Sequence, residues 1–121
     1  MKEIIEYMKS KDKYNADDLR KIMTILRSEN GCPWDRVQTH KTIRQDLLEE
    51  AYETAEAIDM ESDEMLVEEL GDVLLQVMFH SRIAEEENRF NFDDVCTGVC
   101  KKMIERHPHI FGDVKVNSVD E

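Results

Sequence analysis

Five carboxylates stand at spacings that could hold a cation. Glu49, Glu50 and Glu53 lie in the run LLEEAYETAEAID, and Glu69 and Asp72 in the run EELGD that follows. At 100° per residue, Glu49, Glu53 and Glu56 fall within about 60° of one another, with Glu50 at about 100° from Glu49. Leu47, Leu48, Ala51, Ala55 and Ile58 fill the other side of the wheel. Taken alone, this is the solvated face of an amphipathic helix whose apolar stripe turns to the core. The second segment changes that expectation. Between Met65 and Phe79, ten of fifteen residues are apolar and surround the helix on nearly every side, which suits an interior position. Glu69, Asp72 and Gln76 nevertheless share a sector of about 60° on it. Carboxylates in such a place need cations, a metal or a cleft.

The two segments are joined by the short break Asp59-Met-Glu-Ser-Asp, so they are expected to pack antiparallel and present Glu49, Glu50 or Glu53 to Glu69 and Asp72. Two carboxylates about 5 Å apart at an effective dielectric of about 20 repel by roughly 3 kcal/mol, so the cluster requires a counter-charge. Neither segment contains an internal lysine, and the only arginine of the first is Arg44, near its start. A hard divalent cation fits better, since all-oxygen ligands select Mg²⁺, Mn²⁺ or Ca²⁺. Gly71, between Glu69 and Asp72, predicts close helix approach at that point.

The elements that must position these acids are helical. Glycine and proline number 4 and 2, and apolar residues recur at threes and fours with no strand alternation. Asn15 predicts the cap of a helix over 16–30, with Asp17 and Asp18 in its first turn. The stretch NGCPWDRVQTH predicts a loop. A second helix follows from Thr39 or Thr42 to Asp59, with Thr42 and Gln45 at capping-box spacing. A third is expected over 63–87, and a fourth, capped by Asn91, runs to Arg106 or His107 before Pro108. The expected architecture is all-α, a four-helix, bundle-like single domain spanning 1–121 with its core at about 16–115.

Composition excludes several classes of function. The chain has 121 residues with 28 Asp+Glu against 16 Lys+Arg, a formal charge of −12. A surface of that sign repels polyanions, so neither nucleic acid nor an anionic membrane is an expected partner. No apolar run has the length of a membrane span or signal core, and three cysteines, an odd number, read as reduced thiols; both point to the cytoplasm. Lys102 and Arg106, one turn apart with Lys101 beside them, either complement the dipole at the end of the fourth helix or bind phosphate. Trp34, the only tryptophan, either covers the core or stacks on a base. His80 reads as a satisfied core histidine. Cys96 and Cys100 read as small buried apolar residues in preference to a zinc set with His107 and His109.

Taken together, CPWD at Cys32 to Asp35, QTH at Gln38 to His40, LLEEAYE at Leu47 to Glu53, EELGDVLLQVMFHSRIAEEE at Glu68 to Glu87 and RHPHIFGD at Arg106 to Asp113 closely resemble the MazG family of the all-α nucleoside triphosphate pyrophosphatase superfamily, over about residues 16–115. The pattern EExxE followed by ExxD is met by Glu49, Glu50, Glu53, Glu69 and Asp72. The resemblance implies Mg²⁺-dependent hydrolysis of nucleoside triphosphates between the α and β phosphates, with Mn²⁺ a possible substitute. It implies Glu50, Glu53, Glu69 and Asp72 as metal ligands, Glu49 as a neighbouring catalytic member, and Lys102 and Arg106 as contacts to the triphosphate. It also implies a homodimer or larger homo-oligomer. Many relatives carry two copies of the module, whereas these 121 residues hold one, and Met65 stands where some relatives have a basic residue one turn before Glu69. The alternative is a helical module that binds nucleotide or metal without hydrolysis.

Overall fold

The computed structural model describes residues 1–113; Val114 and Lys115, the last two residues of the resemblance, lie outside them along with the rest of the C-terminus. The described residues form seven helices and no strand: α1 (Lys2–Ser10), α2 (Ala16–Leu26), α3 (Pro33–Arg36), α4 (Arg44–Asp59), α5 (Asp63–Glu86), α6 (Phe92–Arg106) and α7 (Pro108–Phe111). The four longest of these, α5, α4, α6 and α2, are the four expected helices. α1 is an addition to them, and the CPWD loop contains the single turn α3, with Pro33 in its first turn where a missing N–H costs nothing.

Local chemistry sets the helix starts. Asn15 accepts from Asp18 N while Asp18 accepts from Asn15 N, and Asn91 and Asp94 repeat the same reciprocal pair. Ser62 caps α5 by accepting from Met65 N. The expected Thr42–Gln45 box does not form. Thr42 Oγ1 instead accepts from Thr39 N, Thr39 Oγ1 accepts from Thr42 N, and α4 begins one turn later behind Ile43, whose side chain offers no cap. α2 also ends early, at Leu26 and not at residue 30, because the chain reverses through Ser28 and Gly31. A Cβ built on Gly31 would lie 2.3 Å from Ile25 O and 2.4 Å from Leu26 O, both fixed backbone atoms. Gly31→Ala is therefore expected to cost about 1–3 kcal/mol, as overpacking does, read as a lower urea midpoint at unchanged slope.

α5 is the hub, packing against α4, α2 and α6. The core is small: Met23 from α2, Ile43 ahead of α4, and Phe79 and Ile83 from α5, with Leu75 against them. On α4 the buried stripe is Ile43, Glu50, Thr54 and Ala57, the side that carries the acids. The apolar stripe expected to face the core points outward: Leu48 is 40 % and Ile58 57 % exposed, and Ala51 and Ala55 are exposed as well. The first half of α5 does the same with Val67 and Leu70. A Cβ added at Gly71 would meet nothing within 4 Å, so this glycine lies on the open face and does not mediate the α4–α5 approach.

Candidate metal centre

Antiparallel packing of α4 on α5 brings Glu50 into register with Glu69 and Asp72. One carboxylate oxygen from each of the three lies within 4.8 Å of the others, and all three residues are half-buried. Glu50 Oε2 and Glu69 Oε2 are fully shielded from solvent and have no hydrogen-bond partner. No lysine, arginine or histidine among the described residues forms an ion pair with Glu50, Glu53, Glu69 or Asp72.

The electrostatics follow from that geometry. Burial, then the charges of Asp72 and Glu53, push the Glu50 carboxyl up to about 7. Burial and a contact with Glu53 also raise Glu69. Carboxyls held this close without a counter-ion take up protons at neutral pH, and a divalent cation is what would let them ionise together. Orphaned, desolvated oxygens, an all-carboxylate donor set and the lack of a side-chain cation all fit a hard metal ion.

The remaining expected residues are placed as follows. Glu53 is exposed at the edge of the cluster, close enough to act on both Glu50 and Glu69. Glu49 is exposed and outside the three-residue group. Lys102 and Arg106 are exposed on α6, which within one chain packs on α5 and α7. Trp34 is 76 % exposed, which removes the core-covering role. Cys96 is half-buried and Cys100 exposed, so neither is a core thiol, and Glu50, Glu69 and Asp72 form the one candidate metal group among the described residues.

Two side chains that the sequence does not single out as a unit lie beside this site. His80, expected to be satisfied in the core, shares its Nδ1 with His40 Nδ1 at 2.7 Å in a parallel stack, while its Nε2 is buried without a partner. Gln76, which the helical wheel places with Glu69 and Asp72, is buried with Oε1 unpartnered. The 40-residue separation of the two histidines hides their pairing from any local pattern.

Fold and site together define an all-helical domain with an acidic cluster, able to hold a cation, between two antiparallel helices. The model of the MazG nucleotide pyrophosphohydrolase domain matches residues 38–111, more than half of the chain, and the chain belongs to that family. It is 54% identical over 97 residues to the nucleoside triphosphate pyrophosphohydrolase/pyrophosphatase MazG of Thermotoga maritima, covering 80% of this chain and 38% of that protein. It is 52% identical over 102 residues to the uncharacterized protein YabN of Bacillus subtilis, covering 84% of this chain and 21% of YabN. Against the nucleoside triphosphate pyrophosphohydrolase of Escherichia coli K12 the identity is 47% over 106 residues, 87% of this chain and 40% of the relative. The matched region thus spans about a fifth to two fifths of the length of these curated relatives.

Proposed function

We propose that this domain hydrolyses nucleoside triphosphates at the α–β bond to a monophosphate and pyrophosphate, using Mg²⁺, with Mn²⁺ able to replace it. The observation that carries the reading is the half-buried carboxylate group of Glu50, Glu69 and Asp72, with two shielded, unpartnered oxygens and no side-chain counter-charge. These three, joined by Glu53, would hold the metal. A bound Mg²⁺ would supply Lewis acidity toward phosphate oxygens and lower the pKa of water at the site. Glu49, exposed beside Glu50, is the residue offered as proton acceptor, Lys102 and Arg106 are the cations offered to the triphosphate, and Trp34 is a face for stacking.

The outward apolar faces of α4 and α5 support a homodimer or larger homo-oligomer. The surface is 9463 Å² against roughly 6,800 Å² for a monomer of this mass. Even a full allowance of roughly 1,300 Å² for residues 114–121 leaves an excess comparable with a standard protein–protein interface. The unpaired cysteines and the absence, among the described residues, of a helix long and apolar enough to cross a membrane agree with work on the cytoplasmic nucleotide pool.

Product analysis tests the reading. ATP and GTP incubated with protein and Mg²⁺ are expected to give monophosphate and pyrophosphate in equal amounts, and nothing in the presence of a chelator. Binding of nucleotide with no product would identify a non-hydrolytic module instead.

A further inference from the structure

His80 is a titratable side chain that the proposed hydrolysis does not use, and it ties the loop ahead of α4 to α5. Its Nδ1 lies 2.7 Å from His40 Nδ1, with the two rings parallel within 1°. One of these nitrogens must donate and the other accept, and the neighbours decide which. Arg89, in the turn between α5 and α6, can only donate, and its Nη2 meets His40 Nε2. That nitrogen is therefore an acceptor, the His40 proton sits on Nδ1, and His80 Nδ1 accepts from it. The His80 proton is left on Nε2, which is shielded and has no partner.

This chain of donors, from Arg89 to His40 to His80, works only while both rings are neutral. An added proton has two places to go, His80 Nδ1 or His40 Nε2, and each already faces a donor. The surroundings oppose it too. Around His40, a cavity of about 550 Å³ sets Arg27, Arg36 and Lys41 against Glu86 and Glu87, and Arg89 adds a fourth cation. Glu86 is taken by Arg27 and Arg82, and Glu87, 3.8 Å from His40 Nε2, is bonded to Arg89 at 3.1 Å. On its other side His80 lines a smaller cavity with Leu47 of α4, Phe90 of the turn, Val95 of α6, and Gln76, Val77 and Ser81 of its own helix, none of them charged. Burial, then the neighbouring His40, hold the His80 imidazole below its ordinary range.

We propose that His40 and His80 form a pH-sensitive clasp, closed at neutral pH and opened in mild acid, that fixes residues 39–43 on α5. These residues lead into α4 and end at Ile43, about two helical turns before Glu50. The sign follows from the neutral rings that the closed form requires. The contribution of His80 is fully present above the unfolded histidine pKa near 6.5 and is lost as pH falls toward and through the lowered value of the folded state. A histidine released to its ordinary pKa favours the open loop by about tenfold at pH 5.5. The clasp stands independently of the hydrolase reading.

Amide hydrogen exchange at pH 7.5 and 5.5, corrected for the intrinsic rates, reads the loop through Thr39, Thr42 and Ile43, whose N–H groups are hydrogen-bonded within it. Wild-type protection there is expected to fall about tenfold at the lower pH, without a matching fall at Met23 and Phe79 in the core. His80→Phe, which keeps a ring and removes both nitrogens, should give low protection at either pH. Arg89→Met should make the loop less sensitive to acid, with less than half the wild-type fall. Once that cation is gone, His40 Nε2–H can turn to Glu87 while its Nδ1 accepts from a charged His80. This variant decides the matter if His80→Phe does not fold. A wild-type fall of less than threefold, one shared by Met23 and Phe79, or one that keeps its full size in either variant overturns the proposal. Ring ¹⁵N shifts at pH 7.5 are expected to show the proton on Nδ1 of His40 and on Nε2 of His80, and the opposite tautomers overturn it as well. Neither readout involves nucleotide or turnover, so failure of the hydrolase reading leaves the result standing.

Discussion

Asp72→Asn is expected to abolish Mg²⁺-dependent pyrophosphate release, by a factor of about 10² to 10³ or more, while raising the thermal midpoint of the metal-free protein. The two effects have one cause. Charges within 4.8 Å of each other at an effective dielectric of about 20 repel by about 3 kcal/mol or more, and Asp72 has the strongest effect of the charges acting on Glu50. Removing it relieves the folded apo protein but takes away a ligand and the field that makes the site attract a cation. Added Mg²⁺ should therefore raise the wild-type midpoint and leave the Asp72→Asn midpoint where it was. The pH dependence carries the same sign. Folding raises the pKa of Glu50 to about 7 and raises that of Glu69 as well, so their contribution is fully present below the ordinary glutamate pKa near 4.5 and is lost as pH rises through the raised values, about 7 for Glu50. From these groups metal-free wild type loses stability between about pH 5 and 8, Asp72→Asn loses less, and saturating Mg²⁺ reverses the trend because it binds the ionised form. Scanning calorimetry across that range with and without Mg²⁺ checks all three. Full activity in Asp72→Asn would remove the metal assignment.

Arg27→Met is expected to cost about 2–3 kcal/mol at neutral pH, among the larger single losses of stability this chain offers. The side chain is 7 % exposed, and its guanidinium holds Glu86 of α5 through Nε and Nη2 at 2.9 Å each and donates through Nη1 to the carbonyls of Asp35 and Gln38. It also lies 5.6 Å from the centre of the Phe79 ring. One side chain thus ties the end of α2, α3 and the segment after it, and the end of α5. Methionine keeps much of the volume but leaves two part-buried carbonyls without their donor and Glu86 with Arg82 as its remaining cation, at 3.1 Å. Arg27 holds the Glu86 carboxyl below its ordinary range, so the pair stabilises above the unfolded glutamate pKa and is lost as pH falls through the lowered value. Urea titrations at pH 7 and pH 3 should show a wide gap between wild type and Arg27→Met at the first and a narrower one at the second. Equal gaps would mean that Arg27 acts by packing alone.

The four long helices are legible in the chain, and the starts of α2, α5 and α6 rest on chemistry within four residues, as at Asn15 with Asp18 and Asn91 with Asp94, whereas α1 and α3 have no side-chain cap to announce them. The acids are legible too, since an embedded ExxD on an apolar helix is improbable without a cation. The orientation of α4 is not. Hydrophobic periodicity reports that a helix has two faces and is silent on which surface each face meets. Here α5 takes the acidic side, leaving Leu48, Val67, Leu70 and Ile58 outward, so the expected burial is inverted. The capping of α4 departs from its spacing for a related reason: Thr39 and Thr42 prefer each other, so the interval from Thr42 to Gln45 goes unused.

Residue types and their local spacing suffice for the four long helices, the family and the acids of the candidate site. Which three carboxylates close on one another, that Glu50 titrates near neutrality, and that His40 meets His80 across forty residues come from the packing of α4 and the loop before it on α5. Desolvation and proximity are properties of neighbours in space, and no period along the chain encodes them.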